Sequence, residues 1–262
     1  MNLCFSTLGC TERNLTDILS LCKEYSIGYL EIRGISGELD CRKIDVFSSE
    51  HIENTCEIFE KSHVEPLILG TSCSFHKAEN YDNAVDEGKA AIDIASKLGA
   101  RGIRVFGDRL TPDSMQRIIK GIHTLCGFAR HTDVSVLLET HGDFNTAENL
   151  SPILKEFQNE PHFGLIWDVE HTNKTYGDNW SEFYSFALPF IRHVHIKDAA
   201  EGDLVQIGDG SIPIKQIMRR LLSDGYEGAF SLEWEKKWHP ELPPFESALE
   251  RFISLSNNLD DM

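Results

Sequence analysis

Glu139, Asp168, His195 and Glu233 are four side chains able to share a divalent cation, and each ends a short apolar run. The runs read Leu137-Leu138-Glu139-Thr140-His141, Ile166-Trp167-Asp168-Val169-Glu170-His171, His193-Val194-His195-Ile196-Lys197-Asp198 and Ser231-Leu232-Glu233-Trp234-Glu235. One acid in such a place is more often a helix cap or an ion-pair partner. Several in succession are harder to explain that way, because converging carboxylates raise one another's pKa unless a cation relieves them. One imidazole with three carboxylates is a mostly oxygen donor set. It suits Mn²⁺ best, then Mg²⁺ or Co²⁺, and admits Zn²⁺. The set contains no thiol, which argues against a structural zinc. Glu235 shares strand parity with Glu233 and competes for the fourth position.

These residues work together only if the fold brings their strand ends to one place. Apolar, β-branched runs predict strands at Leu3–Thr7, Tyr29–Ile32, Pro66–Leu69, Gly102–Phe106, Val134–Glu139, Phe163–Asp168, Ile191–His195 and Ala229–Glu233. Helical stripes lie between them. One is Leu15, Ile18, Leu19 and Cys22 after an Asn14 cap, and a second runs from Ile214 to Leu222 between Pro213 and Gly225. A third is Phe245, Ala248, Leu249, Phe252 and Ile253. Eight βα units in 262 residues leave about 33 residues each, the size of one unit of a closed barrel. Thr7-Leu8-Gly9-Cys10 follows the first strand where a dinucleotide fold would place Gly-x-Gly-x-x-Gly. The expectation is an α/β protein, a single (β/α)₈ barrel over residues 1–262, with its site at the C-terminal strand ends.

Composition narrows the partners. With 25 basic and 42 acidic residues the net charge is −17, which disfavours nucleic acid and anionic membrane surfaces. No apolar stretch is long enough to span a bilayer. The seven cysteines are odd in number and form no Cys-x-x-Cys pair, so a reducing cytoplasm is the expected compartment. What is left is a small-molecule partner and, at most, further copies of the chain.

Phe5-Ser6-Thr7-Leu8-Gly9-Cys10, Gly28-Tyr29-Leu30-Glu31-Ile32-Arg33, Asp168-x-x-His171, His193-Val194-His195-Ile196-Lys197-Asp198 and Ser231-Leu232-Glu233 stand in an order that resembles one family. It is the xylose isomerase-like, AP-endonuclease-family-2 group of sugar isomerases and epimerases, and the resemblance runs along essentially the whole chain. It implies that Glu139, Asp168, His195 and Glu233 bind one divalent metal and that His171 contacts substrate hydroxyls. In the implied reaction the metal acidifies the proton between a carbonyl and its neighbouring hydroxyl. Glu139 and Glu233, approaching from different sides, remove and return it through an enediolate.

Further residues near the mouth have two readings each. Lys197 either stabilises the enediolate oxygen or pairs with Asp198. Glu31 with Arg33 either orients the sugar or forms a structural pair. His141, two residues after Glu139, and His76, in the loop after the third strand, are candidate substrate contacts. Trp234, Trp238 and His239 are candidates for a stacking wall. An endonuclease IV-like repair enzyme needs more metal ligands than this chain offers, and Gly208-Asp209-Gly210-Ser211 is a poor phosphate loop. An inosose-dehydratase-like lyase would use the same metal site. A non-catalytic sugar-binding barrel has no need of two carboxylates flanking its ligand.

Overall fold

The expected runs do form strands, and the computed structural model, which describes residues 1–259, closes them into a ring. The strands are β1 (Asn2–Ser6), β2 (Tyr29–Ile32), β3 (Glu65–Ser74), β4 (Gly102–Phe106), β5 (Ser135–Glu139), β6 (Phe163–Asp168) and β7 (Ile191–Ile196). A hairpin of β8 (Asp198–Ala200) and β9 (Asp203–Val205) then precedes β10 (Ala229–Leu232). β1 to β7 pair in chain order, and β10 joins β7 to β1, all parallel. Helices α1 (Leu15–Glu24), α2 (Ile52–Ser62), α3 (Tyr81–Leu98), α4 (Ser114–Ala129) and α5 (Ala147–Glu156) follow the first five strands. Two helices, α6 (Val169–Tyr176) and α7 (Trp180–Ala187), follow β6. α8 (Ile214–Ser223) and α9 (Phe245–Asn257) complete the ring of a single (β/α)₈ barrel.

Alternation along each strand divides the residues between two environments. Phe5, Leu30, Leu138, Leu165, Phe230 and Leu232 belong to the large core shared with the helices. Their neighbours Cys4, Leu137, Ile166 and Ala229, with Leu67 and Ile68, form a separate buried cluster. Following that second parity toward the C-terminal ends reaches the polar residues: Leu137 leads to Glu139, Ile166 to Asp168, and Ala229 to Ser231 and Glu233. The barrel interior is therefore apolar near one end and acidic at the other.

Several boundaries differ from expectation. β3 continues through Gly70-Thr71-Ser72-Cys73, expected as loop, after a register shift between Gly70 and Ser74 in its pairing with β4. β5 starts at Ser135, not Val134, and β10 stops at Leu232, so Glu233 is the first residue past its strand. β1 ends at Ser6, whose hydroxyl accepts from Leu8 N and opens a 3₁₀ turn at Thr7. The β8–β9 hairpin and the doubled helix after β6 had no expected counterpart. No helix among the described residues is long and apolar enough to cross a membrane.

The joint between the last helix and the first strand is tight. Phe245 of α9 packs on Phe5 of β1 with ring centroids 5.2 Å apart. A Cβ at Gly9 would lie 2.3 Å from the Phe245 ring. Gly9→Ala should therefore destabilise the barrel by about 1–3 kcal/mol through overpacking, seen as a lower urea midpoint with an unchanged denaturant slope.

Candidate metal centre and active site

Glu139, Asp168, His195 and Glu233 converge at the C-terminal end of the barrel, each offering one ligand atom within 4.8 Å of the others. His195 Nδ1 stands 3.2 Å from Glu233 Oε2, 3.5 Å from Glu139 Oε1 and 3.9 Å from Asp168 Oδ2. None of the four residues is more than 2% exposed. Glu139 Oε2, Asp168 Oδ2 and His195 Nδ1 are buried without a properly angled hydrogen bond. The group with which Glu233 converges does not include Glu235.

Asp168 and His195 are held from behind. Asp168 divides its carboxylate: Oδ1 accepts from Glu170 N at 2.9 Å and His171 N at 3.1 Å, capping α6, while Oδ2 faces the site. The capping role and the ligand role thus use different oxygens. His195 donates Nε2–H to Glu31 Oε2 at 2.9 Å, which turns Nδ1 toward the carboxylates. His193 Nε2, at 3.0 Å, and the Ser231 hydroxyl, at 2.9 Å, share that same Glu31 oxygen. A carboxylate behind a histidine is the arrangement that fixes the tautomer and orientation of a metal-binding imidazole. Glu31 therefore sits beneath His195, fully buried, and the pair expected with Arg33 does not form. Arg33 bonds Leu39 O and Ser72 Oγ instead.

Two fixed cations enter the cluster. Arg104 Nη1 donates to Glu233 Oε1 at 2.8 Å and lies 3.3 Å from Glu139 Oε2, so the two glutamates share one guanidinium nitrogen. Lys197 Nζ lies 2.8 Å from Asp168 Oδ2 and 2.7 Å from Glu233 Oε2, and also pairs with Glu235. The alternative pair of Lys197 with Asp198 does not occur. Asp198 instead accepts from the backbone N–H groups of Ala199, Gly208, Gly210 and Ile212. Those donors in the Gly208–Ser211 loop are thereby spent and do not cradle a phosphate.

Charge accounting favours a divalent ion. Glu31, Glu139, Asp168 and Glu233 touch only Arg104 and Lys197 as permanent cations, and Lys197 is shared with Glu235, so the acids outnumber the cations in contact with them. Burial raises the carboxyl pKa values, but the cations outweigh it. Arg104 leads for Glu139, Lys197 for Asp168 and His195 for Glu233, and all three acids are held below the ordinary range. Burial opposes a charged His195, yet Glu233 and Glu31 on either side raise its pKa well above that of a free imidazole. A divalent cation would displace that proton and neutralise the cluster. The donor set, its buried ligand atoms and its surplus charge all fit such an ion.

A second layer lines the approach. His171 Nε2 lies 3.9 Å from Asp168 Oδ2, and its ring meets that of His141 at 4.4 Å. Asp108 gathers two of the expected substrate contacts: His141 Nδ1 is 3.3 Å and His76 Nδ1 is 3.4 Å from its carboxylate. The two touching rings are driven apart in pKa. Burial lowers His171, whereas at His141 Asp108 overcomes burial and raises it. A cleft of about 310 Å³ opens here onto Glu139, Glu233, Lys197 and Arg104. Of the expected stacking wall only Trp238 reaches the cleft. Trp234 is buried with Nε1 donated to Pro243 O, and His239 pairs with Glu235 and Glu241. A larger cavity of about 440 Å³ lies at the other end, among Leu67, Leu137 and Ala229, away from the acids.

Sequence reading missed Arg104 and Asp108. The signal for Arg104 was a lone basic residue in the apolar run Gly102-Ile103-Arg104-Val105-Phe106, at the parity of the barrel interior. For Asp108, a single acid in a loop, no comparable signal existed.

Glu31→Gln keeps the shape behind His195 but removes the charge that its imidazole leans on. Metal affinity should fall about 10- to 100-fold, read by calorimetric titration against a competing chelator. In the unaltered protein, metal at about 100 times its Kd should add about 2.7 kcal/mol of stability. For a chain of this size that raises Tm by roughly 5–10 °C over the chelated form.

The family model described as xylose isomerase-like TIM barrel matches residues 19–255. Inosose isomerase of Halalkalibacterium halodurans is 24% identical over 254 residues, covering 89% of this chain and 87% of the relative. Fructoselysine 3-epimerase of Shigella flexneri is 26% identical over 183 residues, or 66% of each chain. The solved IOLI protein with a binding zinc atom superposes with a TM-score of 0.79 at 21% identity, over 99% of this chain and 98% of that one. From its fold and from the family match, this chain belongs to the xylose isomerase-like TIM barrels.

Proposed function

We propose that the chain is a metal-dependent isomerase or epimerase of a ketose, an aldose or a related polyol, with Glu139 and Glu233 as its proton-transfer pair. The observation that carries this reading is the buried group of three carboxylates and one imidazole at the floor of a polar cleft. The ion expected there is Mn²⁺ before Mg²⁺, Co²⁺ or Zn²⁺, because oxygen donors predominate. When bound, it supplies Lewis acidity that lowers the pKa of the C–H beside a carbonyl.

The protein's own residues then divide the work. Glu139 and Glu233 are both held ionised, so either is ready to take a proton from carbon. Arg104 touches both and compensates whichever remains charged. Lys197 Nζ, among Asp168, Glu233 and Glu235, is a fixed donor beside the cleft and supports negative charge developing on a substrate oxygen. His141 lines the cleft and His171 meets its ring at 4.4 Å, and the two are assigned to hold hydroxyls. Burial lowers the pKa of the His171 ring, while Asp108 raises that of His141 against its burial. Returning the proton to the other face of the same carbon epimerises it, and returning it to the neighbouring carbon isomerises. The same pair serves both outcomes, in keeping with one isomerase and one epimerase among the relatives.

Glu139→Gln and Glu233→Gln should each lower kcat by about 10²- to 10⁴-fold while metal content falls much less, since Gln keeps one coordinating oxygen. Deuterium from D₂O should enter the carbon next to the carbonyl in the unaltered enzyme. Product free of solvent label, with metal and rate lost in parallel in both variants, would replace proton transfer by a hydride shift. Loss of water from the substrate by mass would assign a lyase instead.

A further inference from the structure

One buried cation in the cleft has no counter-ion. Arg33, the residue after β2, is 7% exposed and lines the cleft beside Arg104, Glu139 and Glu233. Its Nη1 donates to Leu39 O at 3.1 Å and its Nη2 to Ser72 Oγ at 2.8 Å, both neutral acceptors. No carboxylate oxygen among the described residues comes within the 4.0 Å of an ion pair with it. Arg104 and Lys197, in the same cleft, each contact two or more. Glu87, Glu233 and Glu139 act on it only from beyond ion-pair range, and Glu87 Oε1 accepts from Ser72 N at 2.7 Å. Burial and the neighbouring Arg104 push the Arg33 pKa down to about 10, the mark of a charge that lacks a partner.

The chain nevertheless fixes this residue in place. Thr7 Oγ1 accepts from Arg33 N at 2.9 Å and Gly34 N at 3.0 Å, and donates to Gly34 O at 2.7 Å. At Gly70 of β3 an added Cβ would lie 2.8 Å from Arg33 Cδ and 3.4 Å from its Cα. The Arg33 stem therefore lies directly against the β3 backbone, in space that only a glycine leaves open. A held, buried, uncompensated guanidinium with unused N–H donors at a cleft wall is built to receive an anion.

We infer that Arg33 receives a carboxylate of the substrate, so that the sugar or polyol handled here is a sugar acid. The inference rests on the isomerase reading for the rest of the molecule bound, and it names the group at the end remote from the reacting carbons. A carboxylate is favoured over a phosphate by its charge: one guanidinium neutralises the single charge of a carboxylate but only part of a phosphate dianion. The backbone donors of the Gly208–Ser211 loop, which a phosphate dianion would need in addition, are spent on Asp198.

The test compares ligands that differ at one carbon. Calorimetry on the Mn²⁺-loaded protein would titrate D-glucose, D-glucuronate and D-glucose 6-phosphate, with the galacto and manno counterparts of each. At least one uronate should bind about 10- to 100-fold tighter than its parent hexose, and no sugar phosphate should bind tighter than that uronate. Arg33→Gln should erase the preference, and Arg33→Lys should restore part of it. Because the charge is uncompensated, Arg33→Gln should leave Tm unchanged or raise it, whereas a structural arginine would lower it. Uronates that bind no better than hexoses, a preference that survives in Arg33→Gln, or tighter binding of the phosphates would each overturn the inference. Glu139→Gln protein, disabled for proton transfer, should still prefer the uronate. Failure of the isomerase reading and failure of the anion site are therefore separate results.

Discussion

Four carboxylates inside a barrel need counter-charge from the protein or from a bound ion, and most of the polar architecture follows from how that charge is supplied. Arg104 and Lys197 come from the barrel wall itself and stand between the acids. His195 contributes one nitrogen to Glu31 and turns the other inward. What remains is an excess of carboxylates over the cations that touch them, at the floor of the cleft. A divalent cation with neutral imidazole would offset that excess, and without one the flanking Glu233 and Glu31 raise the pKa of His195.

The barrel makes this arrangement reachable with few residues. Each strand presents alternate side chains to the interior, so one apolar residue and one charged residue two positions later give a floor and a functional group. Leu137 with Glu139, and Ile166 with Asp168, are such pairs. Glu233 falls just beyond β10 yet keeps the parity of Ser231 and Ala229. The strand pattern thus carries on one residue past β10, where Glu233 N still donates to Ile196 O of β7 at 3.2 Å.

That pattern is also why so much was legible in the sequence. Strand runs, their number and the acids that end them are local properties, so the barrel and the group Glu139, Asp168, His195 and Glu233 could be read directly. Pairings across the ring could not. Glu31 at the end of β2 and Arg33 just past it are two residues apart and looked like partners, but Glu31 turns toward β7 and β10 while Arg33 lies over β3. Lys197 looked toward Asp198 for the same reason of proximity in sequence, and the cross-barrel acids claimed it instead. Arg104 was hidden because the fourth strand end held no histidine or acid, although an arginine inside an apolar strand has to find anions somewhere. β3 ran past its expected end because Gly70 and Ser72 look like loop residues by type, while their backbone continues the sheet.

The divided carboxylate of Asp168 ties two parts of the molecule into one moving unit. Its Oδ1 clamps the first turn of α6, and the Thr172 hydroxyl in that turn accepts from Trp167 Nε1 at 2.8 Å on the preceding strand. His171, whose ring meets His141 of the cleft, rides on the same turn. A substitution on the outer face of α6 or α7 that tilts this turn therefore shifts an inner-wall acid and a rim histidine in step, without altering a residue of the cleft. Divergence in what members of such a family accept can accumulate on the solvent side of one helical excursion, with Asp168 as the linkage that carries it inward.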